Sequence, residues 1–123
     1  MISEIIQKQL TQSGFDSYSI LYNNAMDQLP THEILIHTHE QLDVHQDKDG
    51  IYGIQYLVTI NICGTNPDII ENMQPNVTKS ILDIQDTKVI ESTLRKWDSI
   101  DYEEASERYF SSGEFILEVT NNI

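Results

Sequence analysis

The stretch EILIHTHEQLDVHQDKDGIYGIQYLVTINIC, residues 33–63, decides how the rest of the chain can be arranged. In its first arm Ile34, Ile36, Leu42 and Val44 take even positions, while His37, His39, Gln41, Asp43 and His45 take odd ones. That period of two marks a strand with one buried face. The second arm repeats it, with Tyr52, Ile54, Tyr56, Val58, Ile60 and Ile62 on even positions and Gly53, Gln55, Thr59 and Asn61 among the odd ones. The two arms read as one long β-hairpin with Asp47-Lys48-Asp49-Gly50 at its tip. Paired residues share a face, so even positions must pair with even positions, which a two-residue loop closed by Asp47 and Gly50 does not allow. A three-residue loop, 48–50, satisfies the pattern. It places Asp47 opposite Ile51, Val44 opposite Ile54 and Leu42 opposite Tyr56, and puts Gly50 at the left-handed position such loops need.

Working outward, Ile2, Ile5, Ile6 and Leu10 form an apolar stripe at helical spacing. Ser3 is placed to cap that helix and Gly14 to end it. Residues 15–22 alternate as a short strand, and residues 23–31 break it with Asn-Asn and a proline. Beyond the hairpin, Asn66-Pro67-Asp68 is a cap, a first-turn proline and an acid at the positive end of a helix dipole. The apolar stripe Ile69, Ile70, Met73, Val77, Ile81 continues to Leu82, and Pro75 inside it is expected to kink or divide the helix. Residues 89–98 suit a strand in composition although neither face is cleanly apolar. Residues 99–107 form an acidic connection with room for a helical turn. A final strand turns Phe115, Leu117 and Val119 one way and Glu114, Glu118 and Thr120 the other, with Ile116 the exception. The order is α-β-β-β-α-β-β, and the expected class is α+β: an antiparallel sheet built on the long hairpin and covered by two helices, one domain over residues 1–123.

Twenty acidic residues against seven basic ones give a formal charge of −13 and a pI near 4.3. Such a surface repels nucleic acid and anionic membranes, because affinity for both rests on Lys and Arg. It suits solubility, a basic partner, or a wall past which DNA slides without sticking. Cys63 is the only cysteine, so no internal disulfide forms, and near a strand end it serves as a small apolar filler. No apolar run is long enough for a membrane span, and the first residues lack the pattern of a signal peptide. The protein is expected to stay in the compartment where it is made.

The residues that could carry chemistry thin out on inspection. His37, His39, His45 and Asp43 share a strand face in this reading, and alternate strand residues lie about 6.5 to 7 Å apart, close enough for His37 and His39 to converge on a metal ion. No further ligand recurs at a supporting spacing, so a polar strip is the plainer account. His39-Glu40 starts like a zincin motif but has Asp43 where the second histidine belongs, and Asp47-Lys48-Asp49-Gly50 lacks the glycine register of a calcium loop. There is no nucleophile elbow, no triad and no phosphate-cradling loop. The expectation is therefore no catalytic residue, no metal site and no cofactor. Trp97 follows two positive charges, Arg95 and Lys96, and is a candidate for docking a partner or stacking on a base.

The order of elements, with the strand Ile-Tyr-Gly-Ile-Gln-Tyr-Leu-Val-Thr-Ile-Asn-Ile (51–62) running into a helix introduced by Asn-Pro-Asp, most specific over residues 52–81, and the closing 115–119 strand, resembles the tail terminator (tail completion) proteins of long-tailed bacteriophages. The resemblance covers nearly the whole chain and rests on architecture. It implies a structural virion protein, usually a hexameric ring, that caps the tail tube at the head–tail junction, assembles in the host cytoplasm, and contacts the tail tube protein on one side and a head-completion or neck protein on the other. DNA would only pass through. On that reading Gln41, Asp43, His45, Gln55, Thr59 and Asn61 are candidates for subunit contact or channel lining. Lys48, Asp49, Trp97, Asp101, Glu103 and Glu104 are candidates for partner contact. Pro75 departs from the continuous helix expected of the family. An acidic inhibitor or immunity-type protein that binds a basic partner or mimics nucleic acid is the alternative, and a small histidine-centred metal module a third.

Overall fold

The structure, a computed structural model, describes residues 2–19, 31–47 and 50–120. Helix α1 (Ile2–Gln12) is followed by a short strand β1 (Ser17–Ser19), the hairpin strands β2 (Ile34–Asp47) and β3 (Gly50–Gly64), and helix α2 (Pro67–Leu82). Strands β4 (Val89–Trp97), β5 (Asp101–Glu103) and β6 (Arg108–Thr120) complete the chain. They form one sheet in the order β1-β2-β3-β6-β4, with β5 beside the start of β6. The class is α+β, as the hydrophobic patterning predicts. All pairings are antiparallel except β1 with β2, which run parallel.

Both helices lie on one face of this sheet. Ile2, Ile6 and Leu10 of α1 and Ile70, Val77 and Ile81 of α2 enter a single core with Leu35, Val58, Ile60, Ile62, Phe115, Leu117 and Val119. Each of these side chains is nearly or wholly excluded from water, and full burial of a side chain of this size stabilises by roughly 1.5–3 kcal/mol. Helix α1 begins at Ile2, one residue before Ser3, which therefore lies inside it. Its end is as expected: Gly14 takes φ +90° and the Phe15 amide returns to the Leu10 carbonyl at 3.0 Å. Helix α2 starts as its cap sequence dictates, with Asn66 Oδ1 accepting from the Asp68 amide at 3.0 Å and Pro67 in the first turn.

Helix α2 is not divided at Pro75. It is continuous over 16 residues with Pro75 inside it. Pro75 and Glu71, the residue whose carbonyl it leaves without an amide partner, are both exposed, so water can take the place of the missing bond.

The register of the hairpin differs from the three-residue loop. Asp47 pairs with Gly50 and Gln46 with Ile51, so the loop is two residues long, and its tip, Lys48 and Asp49, lies outside the described residues. The parity is restored by a bulge: His45 pairs with Gly53, leaving Tyr52 over, and Val44 then meets Ile54 as predicted. Gly50 does take a positive φ of +123°.

A second bulge, at Leu42, was not anticipated. Asp43 pairs with Gln55 but Gln41 with Tyr56, so every residue of β2 below Leu42 changes face. Leu35 and His37 therefore point to the helices, opposite Ile62 and Ile60, and Leu42 itself is exposed. Ile34 and Ile36 turn to the other face, where they are buried with Cys63 against Tyr18 and Phe110.

Residues 99–107 are a strand and a turn rather than a loose or helical connection. Strand β5 pairs with residues 108–110, and Glu107 closes the turn with φ +56°. The uneven pattern of β4 also has a structural cause. Bulges at Ile90 and Arg95 interrupt its pairing with β6, so neither sequence parity holds one face throughout. The expected strand over residues 15–22 is seen as β1 at 17–19. The rest of the expected strand and most of the expected loop fall in residues 20–30, outside those described.

Candidate assembly surface

With both helices on one side, the other face of the sheet is left without a covering element among the described residues, and the strand registers place its side chains in rows. Asp43, Gln55, Glu118 and Glu91 make one row across β2, β3, β6 and β4. The next is Glu40, Leu57, Ile116 and Thr93, and the one after it Thr38, Thr59, Glu114 and Lys96. Asn61 and Ser112 follow, hydrogen-bonded through their side chains, beside the buried Ile36. Carboxylates thus come from three strands, and the half-buried Leu57 and Ile116 form an apolar centre between them. Ile116, an anomaly in the alternation of the last strand, has its place here.

At the hairpin end of this face, His45 Nδ1 hydrogen-bonds the Glu118 carboxylate, and its Nε2 is 3.9 Å from Asp43. Glu118 reaches His45 across the intervening strand because Gly53 has no side chain. A Cβ there would lie 3.1 Å from Glu118 Oε1. A shallow hollow of about 120 Å³ lies among Gln55, Glu91, Thr93, Ile116 and Glu118.

Of the residues expected to line a channel or a subunit contact, Asp43, His45, Gln55, Thr59 and Asn61 share this face. Gln41 does not. The bulge at Leu42 turns it to the helix side, opposite Tyr56, where it is exposed beyond the cover of the helices. The same bulge separates the histidines. His37 and His39 are on the helix side, whereas His45 and Asp43 are on the open side, so the four cannot act together. His37 is buried under α1 and donates from Nε2 to Gln7 Oε1 at 2.7 Å. Burial, and then the nearby charge of His39, lowers its pKa below the usual histidine value. His39 is exposed and stands edge-on to Tyr56 at 5.8 Å. Among the described residues, no group of three or more His, Cys, Asp or Glu side chains is placed to hold a metal ion.

The candidate partner residues part company as well. Asp101, Glu103 and Glu104 are exposed on β5 and its turn, at the end of the sheet remote from the hairpin tip. Strand β3 alone spans roughly 45 Å between those two ends at about 3.3 Å per residue. Trp97 is turned inward. Its ring lies edge-on to Phe115 at 6.1 Å, its Nε1 donates to Thr78 Oγ1 at 2.8 Å, and it sits over Gly113, where a Cβ would be 2.7 Å from the ring. The neighbouring Arg95 and Lys96 remain at the surface, 3.7 Å from Glu114 and 3.5 Å from Asp98.

The acidic rows were partly legible, since the alternation of the last strand sets Glu114 and Glu118 opposite the core. Glu40, placed here by the bulge, and Glu91, placed by pairing of β4 with β6, were not. On the helix side, a cleft of about 750 Å³ between α1 and β1 is lined by Gln7, Lys8, Ser17, Tyr18 and His37, among others, and Ser17 Oγ is buried without a hydrogen-bond partner among the described residues.

Fold and surface together define an α+β protein with one helix-covered sheet face and one acidic face that is open among the described residues. Comparison of the chain with protein-family models gives no match, and comparison with curated proteins gives none. None of the described helices is long and apolar enough to cross a membrane.

Proposed function

We propose that the chain is a tail terminator of a long-tailed bacteriophage, a structural virion protein that forms a ring on the end of the tail tube at the head–tail junction. The observation that carries this reading is the open sheet face with its rows of carboxylates, Glu40, Asp43, Glu91, Glu114 and Glu118, opposite a face closed by both helices. Turned toward a channel, such a wall repels phosphate at every subunit and lets DNA pass without arrest. The hairpin end of the sheet and the acidic β5 turn at the opposite end give the ring two rims. These suit a tail tube protein on one side and a head-completion or neck protein on the other.

The test is the assembled particle. Electron microscopy of the purified protein, alone and with polymerising tail tube protein, is expected to show a ring with a central hole about the width of a DNA duplex, and tubes that stop growing once capped. A chain that stays monomeric at high concentration and leaves tube growth unchanged overturns the reading.

One observation favours a second reading. Asp98, Asp101, Glu103 and Glu104 are all exposed at one end of the molecule, the arrangement an acidic inhibitor or immunity-type protein would present to a basic partner. That reading requires a monomer whose binding weakens steeply with salt.

A further inference from the structure

The sheet has two long edges with no strand beside them among the described residues. One is β4. The other is the distal part of β2, where among the described residues β1 covers Leu35–His37 and residues 38–47 pair with β3 alone. Unpaired edges of this kind are templates for a further strand. The directions are suited to each other. Strands β2, β3, β6 and β4 alternate, so β4 of one copy laid beside β2 of the next runs antiparallel to it and continues the sheet. Both edges expose apolar side chains that a soluble monomer has no use for: Leu42 at 46% on one, Ile90 at 53% and Leu94 at 39% on the other. Their charges are opposite. Arg95 and Lys96, two of the seven basic residues in the chain, are on β4, and Glu40 and Asp43 are on β2.

We infer that the partner of each edge is a second copy of this chain, joined β4 to β2 with Lys96 opposite Glu40, Leu94 opposite Leu42 and Glu91 opposite His45. Bulges and charges together choose this register. The face changes at Arg95 in β4 and at Leu42 in β2, and only this register and the one with Lys96 opposite Leu42 keep open-face residues opposite open-face residues on both sides of the bulges. Lys96 and Glu40 then share the open face below the bulges, and Glu91 and His45 share it above. Sliding by two residues in one direction sets Glu91 against Asp43 and Lys96 against Thr38. Sliding by two in the other sets Asp98 against Glu40 and Lys96 against Leu42. Each of these sets two carboxylates opposite each other and takes Lys96 away from a carboxylate on the facing strand, although the second gains Arg95 against Asp43; the inferred register alone sets no two carboxylates together. The contact uses different surfaces on the two copies, so it repeats head to tail and closes into a ring when the rotation permits. The stagger it imposes, two residues relative to the rows within one subunit, is the kind a closed sheet requires. The acidic rows of successive subunits then run on as one inner wall.

This inference rests on the proposed ring, and the experiment separates the two. Sedimentation velocity is run on the wild-type chain and on Lys96→Glu, Glu40→Lys and the double exchange, with folding checked by thermal melting. Each single reversal is expected to weaken assembly roughly tenfold or more, as like charges set opposite each other do, and the double exchange to restore it. A Lys96→Cys/Glu40→Cys chain is expected to form a ladder of covalent oligomers on oxidation, while the buried Cys63 stays out of the reaction. A ring that tolerates both single reversals, or that gives the ladder with Lys96→Cys/Thr38→Cys and not with Lys96→Cys/Glu40→Cys, overturns the pairing and leaves the ring standing. A wild-type chain that remains monomeric overturns both: the bulges and charges then serve to keep these edges unpaired.

Discussion

His37 Nε2 meets Gln7 Oε1 at 2.7 Å, joining the middle of the sheet to helix α1. The same glutamine donates to the Ser17 carbonyl at 2.9 Å, so one side chain ties α1 to both β1 and β2. Only because the Leu42 bulge turns His37 inward does this contact exist, and it converts a histidine expected at the surface into one that is 2% exposed.

A buried neutral histidine makes stability depend on pH. Burial, with His39 nearby, lowers the pKa of His37 in the folded chain below its usual 6.5, so as the pH falls past that value the unfolded chain takes up the proton first. Stability is therefore full above about pH 6.5 and is lost as the pH falls toward the folded pKa, with a slope of at most about 1.4 kcal/mol per pH unit for one proton. The melting temperature is expected to drop between pH 7.5 and 5.5, and by less in His37→Gln. Equal slopes in the two proteins would remove His37 as the cause.

Trp97 contributes to folding before it contributes to any partner. Held by Thr78 and packed on Phe115 and Gly113, it is expected to cost about 2–4 kcal/mol when replaced by alanine, toward the lower part of the range for aromatic truncation because one side is still wet. Gly113→Ala forces a methyl group against the ring and is expected to cost about 1–3 kcal/mol. Urea denaturation followed by tryptophan fluorescence, or by circular dichroism for Trp97→Ala, measures both. A Trp97→Ala protein of unchanged midpoint that fails to assemble would return Trp97 to the surface.

Two residues expected to be equally buried should now behave differently. Val58 is fully excluded from water in the centre of the core, whereas Ile54 is half-buried at its margin near the hairpin. Val58→Asp is expected to abolish folding, since a carboxylate there has no partner and no water. Ile54→Asp is expected to leave a folded protein with a lowered melting temperature. Circular dichroism of the two variants decides it, and a folded Val58→Asp would mean that the strand register is wrong.

The Cys63 thiol should be inert. Burial pushes its pKa up to about 11 against the opposing charge of Arg108, so little thiolate exists at pH 8. An alkylating reagent is expected to label the native protein far more slowly than the chain in guanidinium. Fast labelling without denaturant would show that the small cluster of Ile34, Ile36 and Cys63 opens readily.

Much of the fold follows from patterns that act over a few residues. The apolar stripes of α1 and α2, the cap at Asn66-Pro67-Asp68, the stop at Gly14, and the alternation along β3 and β6 each state a local preference that the tertiary structure keeps. The acidic open face was legible only in part: Glu114 and Glu118 are the polar half of the β6 alternation, whereas Glu40 and Glu91 reach it through a bulge and through the pairing of β4 with β6.

The sequence by itself therefore determined both helices, the long strands and which residues of β3 and β6 face the core, though not the short strand β5. Tertiary structure decided where β2 changes face, that Pro75 is tolerated, and which side of the sheet each histidine occupies. The physical reason is that a bulge does not interrupt the alternation of a strand; it changes which phase of the alternation meets the core. Residues Ile34, Leu35 and Ile36 are apolar in succession, which permits burial on either face. The choice fell to their neighbours: Leu35 fits beneath α1, while Ile34 and Ile36 find Cys63, Tyr18 and Phe110 on the other side. None of those neighbours is near in the chain except through folding.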